Sequence, residues 1–257
     1  MSIEVLVSTM HKDSSQVLEM LELSNIKYNV LVVVQCDYED YVEIDNNGQR
    51  IRIIFSMQRG LSKSRNVAIE NCQAEYGYIL DDDVVLADGA LEDLLERMIH
   101  DDVGVATAYF KYMGGGASGA FCDSPYTHNL LTVAKVCSIE ICVKISLIKG
   151  RILFDEEFGL GSKFPSGEEY IFLTDCLKSG IEVKYYPVCV GFHPDVTSGQ
   201  DFYTSSQKIL AKREMFKRVF GVKSSLYIFA FWAKKLPAVI VAGYFLKFTR
   251  VMFLGNV

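Results

Sequence analysis

Tyr76-Gly77-Tyr78-Ile79-Leu80-Asp81-Asp82-Asp83-Val84-Val85-Leu86 is an apolar run that ends in three successive carboxylates and then turns apolar again. Tyr, Ile and Leu suit a pleated, enclosed surface, so the run predicts a buried strand. The carboxylates then stand at its C-terminal end, where open α/β sheets bind ligands. Three like charges in a row repel one another and resist burial. A hard divalent cation with oxygen ligands, Mg2+ or Mn2+, offsets that repulsion. Magnesium takes one or two protein carboxylates and fills its other positions with phosphate oxygens and water. The expectation is therefore a metal–diphosphate site at a strand end. The alternative is a solvated acidic loop, with Asp88 as N-cap of the helix that follows.

Working outward, strands and helices alternate on both sides of this run. Ile3 to Ser8 reads as a strand, and Asp13 or Ser14 caps a helix to about Leu23. Tyr28 to Gln35 is a strand whose Val-rich continuity predicts burial on both faces. Arg50 to Ser56 is a third strand, after a turn at Gly48, and Leu61 to Cys72 is a helix. Beyond the acids, a helix runs from Asp88 through Met98, and Val103 to Tyr109 is a strand. Met113 to Gly119 is a Gly-rich loop, read equally as a lid or acceptor loop and as a plain surface connection. Ser138 to Leu147 reads as a strand, Gly167 to Ser179 contains a helix, Glu182 to Val190 is a strand, and Gln200 to Val219 is a helix. The predicted class is α/β: a mixed, mainly parallel, doubly wound sheet flanked by helices.

The 257 residues are 50% hydrophobic and 23% charged, enough for one sizeable core. Seven Cys occur without a C-x-x-C pair, which argues against a disulfide framework or a zinc site and fits a reducing cytoplasm. The first strand starts so near the N-terminus that no signal peptide is expected. The net charge of −6 hides an asymmetry: ten of the 26 Lys/Arg but one of the 32 acids, Glu214, lie in residues 208–257. A basic tail on an acidic body is expected to meet an anionic surface.

Five motifs now stand in one order. They are Val5-Leu6-Val7-Ser8-Thr9; Asp37 after Leu31-Val32-Val33-Val34; Gly60-Leu61-Ser62-Lys63-Ser64-Arg65-Asn66-Val67-Ala68-Ile69; the triplet Asp81-Asp82-Asp83; and Gly167-Glu168-Glu169 followed by His193-Pro194 and Ser198-Gly199. The third is close to G-x-S-x-x-R-N-x-G-I and the triplet looks like a D-x-D motif. Over about residues 1–200 the chain resembles glycosyltransferase family 2, inverting nucleotide-sugar enzymes with the Rossmann-like GT-A fold. The resemblance implies Mn2+ or Mg2+, held by Asp83 with Asp81 and His193. It implies that Thr9 and Asp37 face the donor's base, that Arg65 lies near its diphosphate or ribose, and that Asp81 and Asp82 hold ribose and metal waters. Glu169 matches the catalytic base, more often Asp in the family, and Glu168 is the alternative. Adjacent helical residues point apart, so one of the two is expected to face the site and the other a structural partner. Like-charge repulsion would raise the inward one and improve it as a base.

The expected organisation is a catalytic domain over 1–200, with a nucleotide-binding half (1–109) and an acceptor-binding half (110–200), and a helical basic and apolar appendage over 201–257. Two apolar runs of that appendage, Leu226 to Ala233 and Leu236 to Leu246, fall short of the roughly 20 residues of a spanning helix. Aromatics with interspersed Lys instead predict helices in the membrane interface, so residues 208–257 are expected to make peripheral contact with the inner face of the cell membrane. The alternative is packing on the protein's own core or on a second subunit, and a homo-oligomer is compatible with the sequence. The function expected is transfer from a UDP-sugar to a glycan or polyprenyl-linked acceptor, in bacterial surface polysaccharide synthesis. The rivals are a nucleotidyltransferase, which wants glycines that Ser8-Thr9-Met10-His11-Lys12 lacks, and a non-catalytic scaffold tethering partner enzymes at the membrane. The basic tail is too aliphatic for a nucleic-acid groove.

Overall fold

The computed structural model describes residues 2–195 and 202–255. Strand β1 (Ile3–Met10) leads through α1 (Ser14–Leu23) to β2 (Val30–Gln35). The Asp13 carboxylate accepts the Gln16 N–H, and the Gln16 side chain accepts the Asp13 N–H, a reciprocal cap that fixes the start of α1. All six residues of β2 are buried, as its unbroken apolar run predicts. Then come β3 (Asp40–Asn46), β4 (Gln49–Ser56), α2 (Leu61–Asn71), β5 (Tyr76–Asp81), β6 (Val85–Leu86), α3 (Ala90–His100) and β7 (Val105–Tyr112). The remainder is β8 (Tyr126–Thr127), β9 (Ile141–Lys144), α4 (Ile145–Ile148), α5 (Glu168–Lys178), β10 (Val183–His193), α6 (Ser206–Phe220), α7 (Ser224–Val241) and α8 (Phe245–Leu254).

The sheet runs β3-β4-β2-β1-β5-β9-β7-β10-β6, with β8 on β10. Its heart, β4-β2-β1-β5, is parallel, and β7 pairs β10 in parallel. The inserted β9 is antiparallel to β5 and β7, so one mixed sheet crosses the whole chain. One face carries a core built on Val17, Leu21, Leu91, Leu94 and Met98 of α1 and α3. The other face is covered by α2 and α5, and its core continues into Met215, Val219, Ile228, Phe248 and Met252 of α6–α8.

Three readings of the sequence are corrected. Asp88 does not cap α3: Gly89, with φ 71°, holds the cap position and turns the chain, while the Asp88 carboxylate pairs with Lys27 (2.7 Å) and Asn25 (3.1 Å). The strand expected over 138–147 shrinks to β9. Before it, Ser138–Glu140 form a 3-10 turn, because the Glu140 carboxylate accepts the Cys137 N–H (2.8 Å) and closes the chain on itself. Strand β3 was missed: most of Asp-Tyr-Val-Glu-Ile-Asp-Asn is exposed and charged, so only its hairpin to β4 through Asn47-Gly48 marks it.

The tail divides between two expectations. Helices α6, α7 and α8 pack on one another, and their inner faces join the core. Their outer faces leave Leu226, Phe229, Val241, Leu246 and Leu254 exposed. Ser206–Val241 forms a helical stretch of 36 residues, by length and composition alone enough to cross a membrane, but the turn at Gly221–Lys223 folds its two parts, α6 and α7, against each other. Ser198-Gly199 and Gln200 lie outside the described residues.

Candidate active site

Parallel pairing aligns Met10 with Gln35 and Ser8 with Asp81, so β1, β2 and β5 deliver Thr9, Asp37 and the acid triplet to one edge of the sheet. The three aspartates then part company. Asp81 is turned toward α2: its Oδ1 accepts from Arg65 Nη2 (2.9 Å) and its Oδ2 from Ser138 Oγ (3.3 Å). Asp82 is turned toward β1, where it accepts from the Thr9 hydroxyl and from Lys12 Nζ (3.2 Å). Asp83 is half-buried and reaches His193 at the end of β10, Oδ1 to Nε2 3.7 Å. Burial raises the Asp83 carboxyl above its ordinary value; the nearby imidazole counters this, and Asp81 and Asp82 add to it.

His193 presents one ring nitrogen to the acids. Its Nδ1 lies 2.6 Å from the Pro194 carbonyl oxygen, which can only accept, so Nδ1 carries the proton. In the neutral ring Nε2 is then the free lone pair, and it is the nitrogen that faces Asp83. Phe110 and Tyr112 pack their rings against the imidazole. The spacing depends on Gly191: a Cβ there would stand 2.3 Å from the Val85 carbonyl oxygen, so only glycine lets β10 close on β6 beside the acids. Among the described residues, no group of three or more His, Cys, Asp or Glu converges as a metal site. The donor set near the triplet is the pair Asp83–His193. Two protein ligands of carboxylate and imidazole type suit Mn2+, or Mg2+ with less affinity for nitrogen, when phosphate and water supply the rest.

Arg65 joins this edge to α5. The guanidinium is 3% exposed and stacks on Phe154, 5.5 Å from the ring centre. Besides Asp81 it donates to Ser138 Oγ (2.8 Å) and to Glu168 Oε1 (3.3 Å), and Glu169 Oε1 lies 3.8 Å away. Both glutamates thus reach one cation, where the sequence reading sent them apart: α5 starts at Glu168, and long side chains on its first turn can fold back across the helix end. Glu168 Oε2 and Arg65 Nε are buried without a hydrogen-bond partner. Burial and the Glu168 charge push the Glu169 carboxyl well above the ordinary carboxylate range, against the pull of Arg65.

Asp37 is on the open rim, 89% exposed and paired with Arg59, which no motif had marked. Ser138 and Lys12 were likewise missed; neither type has a signal at its position, since both are brought in by contacts distant in sequence. The edge as a whole can hold a cation, screen negative charge and offer a carboxyl of raised affinity for protons.

Residues 9–132 match the family model described as Glycosyl transferase family 2. Over that span the chain is similar to glycosyltransferase family 2. A relative from Haemophilus influenzae (strain Rd), an uncharacterized glycosyltransferase, is 25% identical over 182 residues, spanning 65% of this chain and 66% of its own length. The fold is similar to that of S. aureus TarS 1-349 in complex with UDP: TM-score 0.59, 18% identity, 86% of this chain and 67% of that one. The complex of TarS 1-349 with UDP-GlcNAc gives TM-score 0.56 and 16% identity over 94% and 79%. The GT-A architecture read from the motifs is therefore the architecture observed.

Proposed function

We propose that the protein transfers a sugar, with inversion, from a nucleotide-sugar donor to a hydroxyl of a glycan or lipid-linked glycan acceptor. One observation carries this reading: Arg65 ties the strand-end Asp81 and the Glu168–Glu169 pair into a single site. The UDP and UDP-GlcNAc held by the structurally similar TarS favour a UDP-sugar as donor.

In this reading Glu169 takes the proton of the attacking hydroxyl. A base works best when its pKa approaches the operating pH, and the raised carboxyl is shifted in that direction. Arg65 keeps the pair from being driven fully neutral and fixes it relative to the β5 edge. Thr9 and Lys12 orient Asp82, and Asp37 with Arg59 lines the rim where a base can lie. Asp83 and His193 would hold a divalent ion, Mn2+ or Mg2+, which when bound supplies positive charge to the leaving diphosphate. Glu169 as direct nucleophile is not needed, since in-line attack by the acceptor requires one base only. The outer faces of α7 and α8 support peripheral contact with an anionic membrane, where a lipid-linked acceptor would be met.

A thermal-shift panel of nucleotide sugars, each with and without Mn2+, tests the reading. Metal-dependent stabilisation by UDP-sugars, with UDP released on turnover, supports it; no response to any nucleotide sugar refutes it.

A further inference from the structure

The C-terminal helices lie against the site, not beside it. Gly167, with φ 101°, precedes α5, and a Cβ on it would stand 3.1 Å from both Cγ and Sδ of Met215. Helix α6 therefore packs against the very end of α5 that carries Glu168 and Glu169. Lys212 is one turn before Met215 on the same face of α6, and its Nζ lies 3.6 Å from Met215 Sδ. A thioether is a poor partner for an ammonium. The charges that face Lys212 are Glu168 and Glu169 from α5 and Lys235 from α7. Besides Lys212, the charges that act on Glu169 are Glu168, Arg65 and Asp81, with the Cys137 thiol nearby.

We propose that Lys212 is a positioning residue of the active site: its ammonium, delivered by the C-terminal helices, acts with Arg65 to balance the two glutamates. The inference rests on the transfer reading in treating that pair as the reactive carboxylates. Arg65 is already shared among Asp81, Glu168 and Glu169, one cation against three acids. A second cation at the α5–α6 contact reduces that excess. Burial lowers the Lys212 pKa and the two glutamates oppose the shift, as a charge kept by their presence requires. A lysine serving only as packing would be replaced by Met without any effect on the glutamates.

The test is a titration of the glutamate carboxyls by 13C NMR in the full-length protein, comparing wild type with K212M, K212Q and K212R. Removing the cation should raise the Glu169 midpoint by about half to one pH unit, a fraction of the shift that a charge in direct contact gives. K212R should keep the wild-type midpoint. With UDP-GlcNAc as donor, the acid limb of UDP release should move by the same amount in K212M and K212Q. Equal midpoints in all four proteins overturn the proposal, as does a change confined to the KM of an anionic acceptor. If the midpoint moves but wild type releases no nucleotide from any sugar donor, the transfer reading falls and the role of Lys212 toward the glutamates stands.

Discussion

Arg65 sits in a stretch that reads as an ordinary helix surface, Lys63-Ser64-Arg65-Asn66, yet its guanidinium is enclosed by three carboxylates and an aromatic ring. Its planar fork lets separate N–H groups serve Asp81, Ser138 and Glu168 at once, which a point charge cannot do. R65K should therefore lose about 3 kcal/mol of stability and most transfer activity, measured by urea unfolding and UDP release, since a broken buried pair leaves acids uncompensated. E169Q keeps shape and removes the carboxylate proposed as the base. It should bind donor within about two-fold of wild type in calorimetry while transfer falls on the order of 1,000-fold; near-normal transfer would assign the base elsewhere, Glu168 first. For wild type, kcat/KM should climb with pH through a midpoint above the usual carboxylate range, because the base is inactive while protonated. D83A removes half of the Asp83–His193 pair, so the Mn2+-dependent part of any donor-induced thermal shift should vanish and the metal-independent part remain.

At the level of elements, the short turn Ser138–Glu140 governs whether Ser138 reaches Arg65 and Asp81. Glu140 holds that turn from within the core, accepting from Ser118 and from the Cys137 N–H. Burial pushes its carboxyl up to about 8, from the ordinary 4.5. The folded chain thus binds a proton that the unfolded chain gives up, so stability falls as pH rises from about 4.5 to about 8. E140Q mimics the protonated acid. Its melting temperature should match wild type near pH 5 and exceed it on the order of 5 °C at pH 8.5, by calorimetry. Neither Ser138 nor Glu140 stood out in the sequence, where Ser-Ile-Glu-Ile-Cys-Val reads as one alternating strand. What was legible were the parallel strands, whose apolar runs are continuous because both faces are buried, and the acids that close the central one. The roles within the triplet were not legible. Consecutive residues at a strand end diverge, so Asp81, Asp82 and Asp83 each find a different neighbour, and those neighbours are 16, 73 and 110 positions away.

Across the whole molecule the charge asymmetry takes spatial form, with the basic tail folded onto α5 and its apolar outer faces turned to solvent. Full-length protein should float with anionic vesicles and not with neutral ones, and the double substitution L226E/L246E should abolish flotation while leaving the melting temperature within a few degrees, because both side chains lie outside the core. The sheet order has a separate result for biosynthesis. The antiparallel partner of β6 is β10, and the same strand ends in His193. The acidic segment is made before residue 90, but its neighbour leaves the ribosome some hundred residues later. A nascent chain must hold that edge open until the last strand slides between β7 and β6. The contact between Asp83 and His193 can therefore form only once that last strand is in place, whereas Asp81 and Asp82 meet partners made well before it.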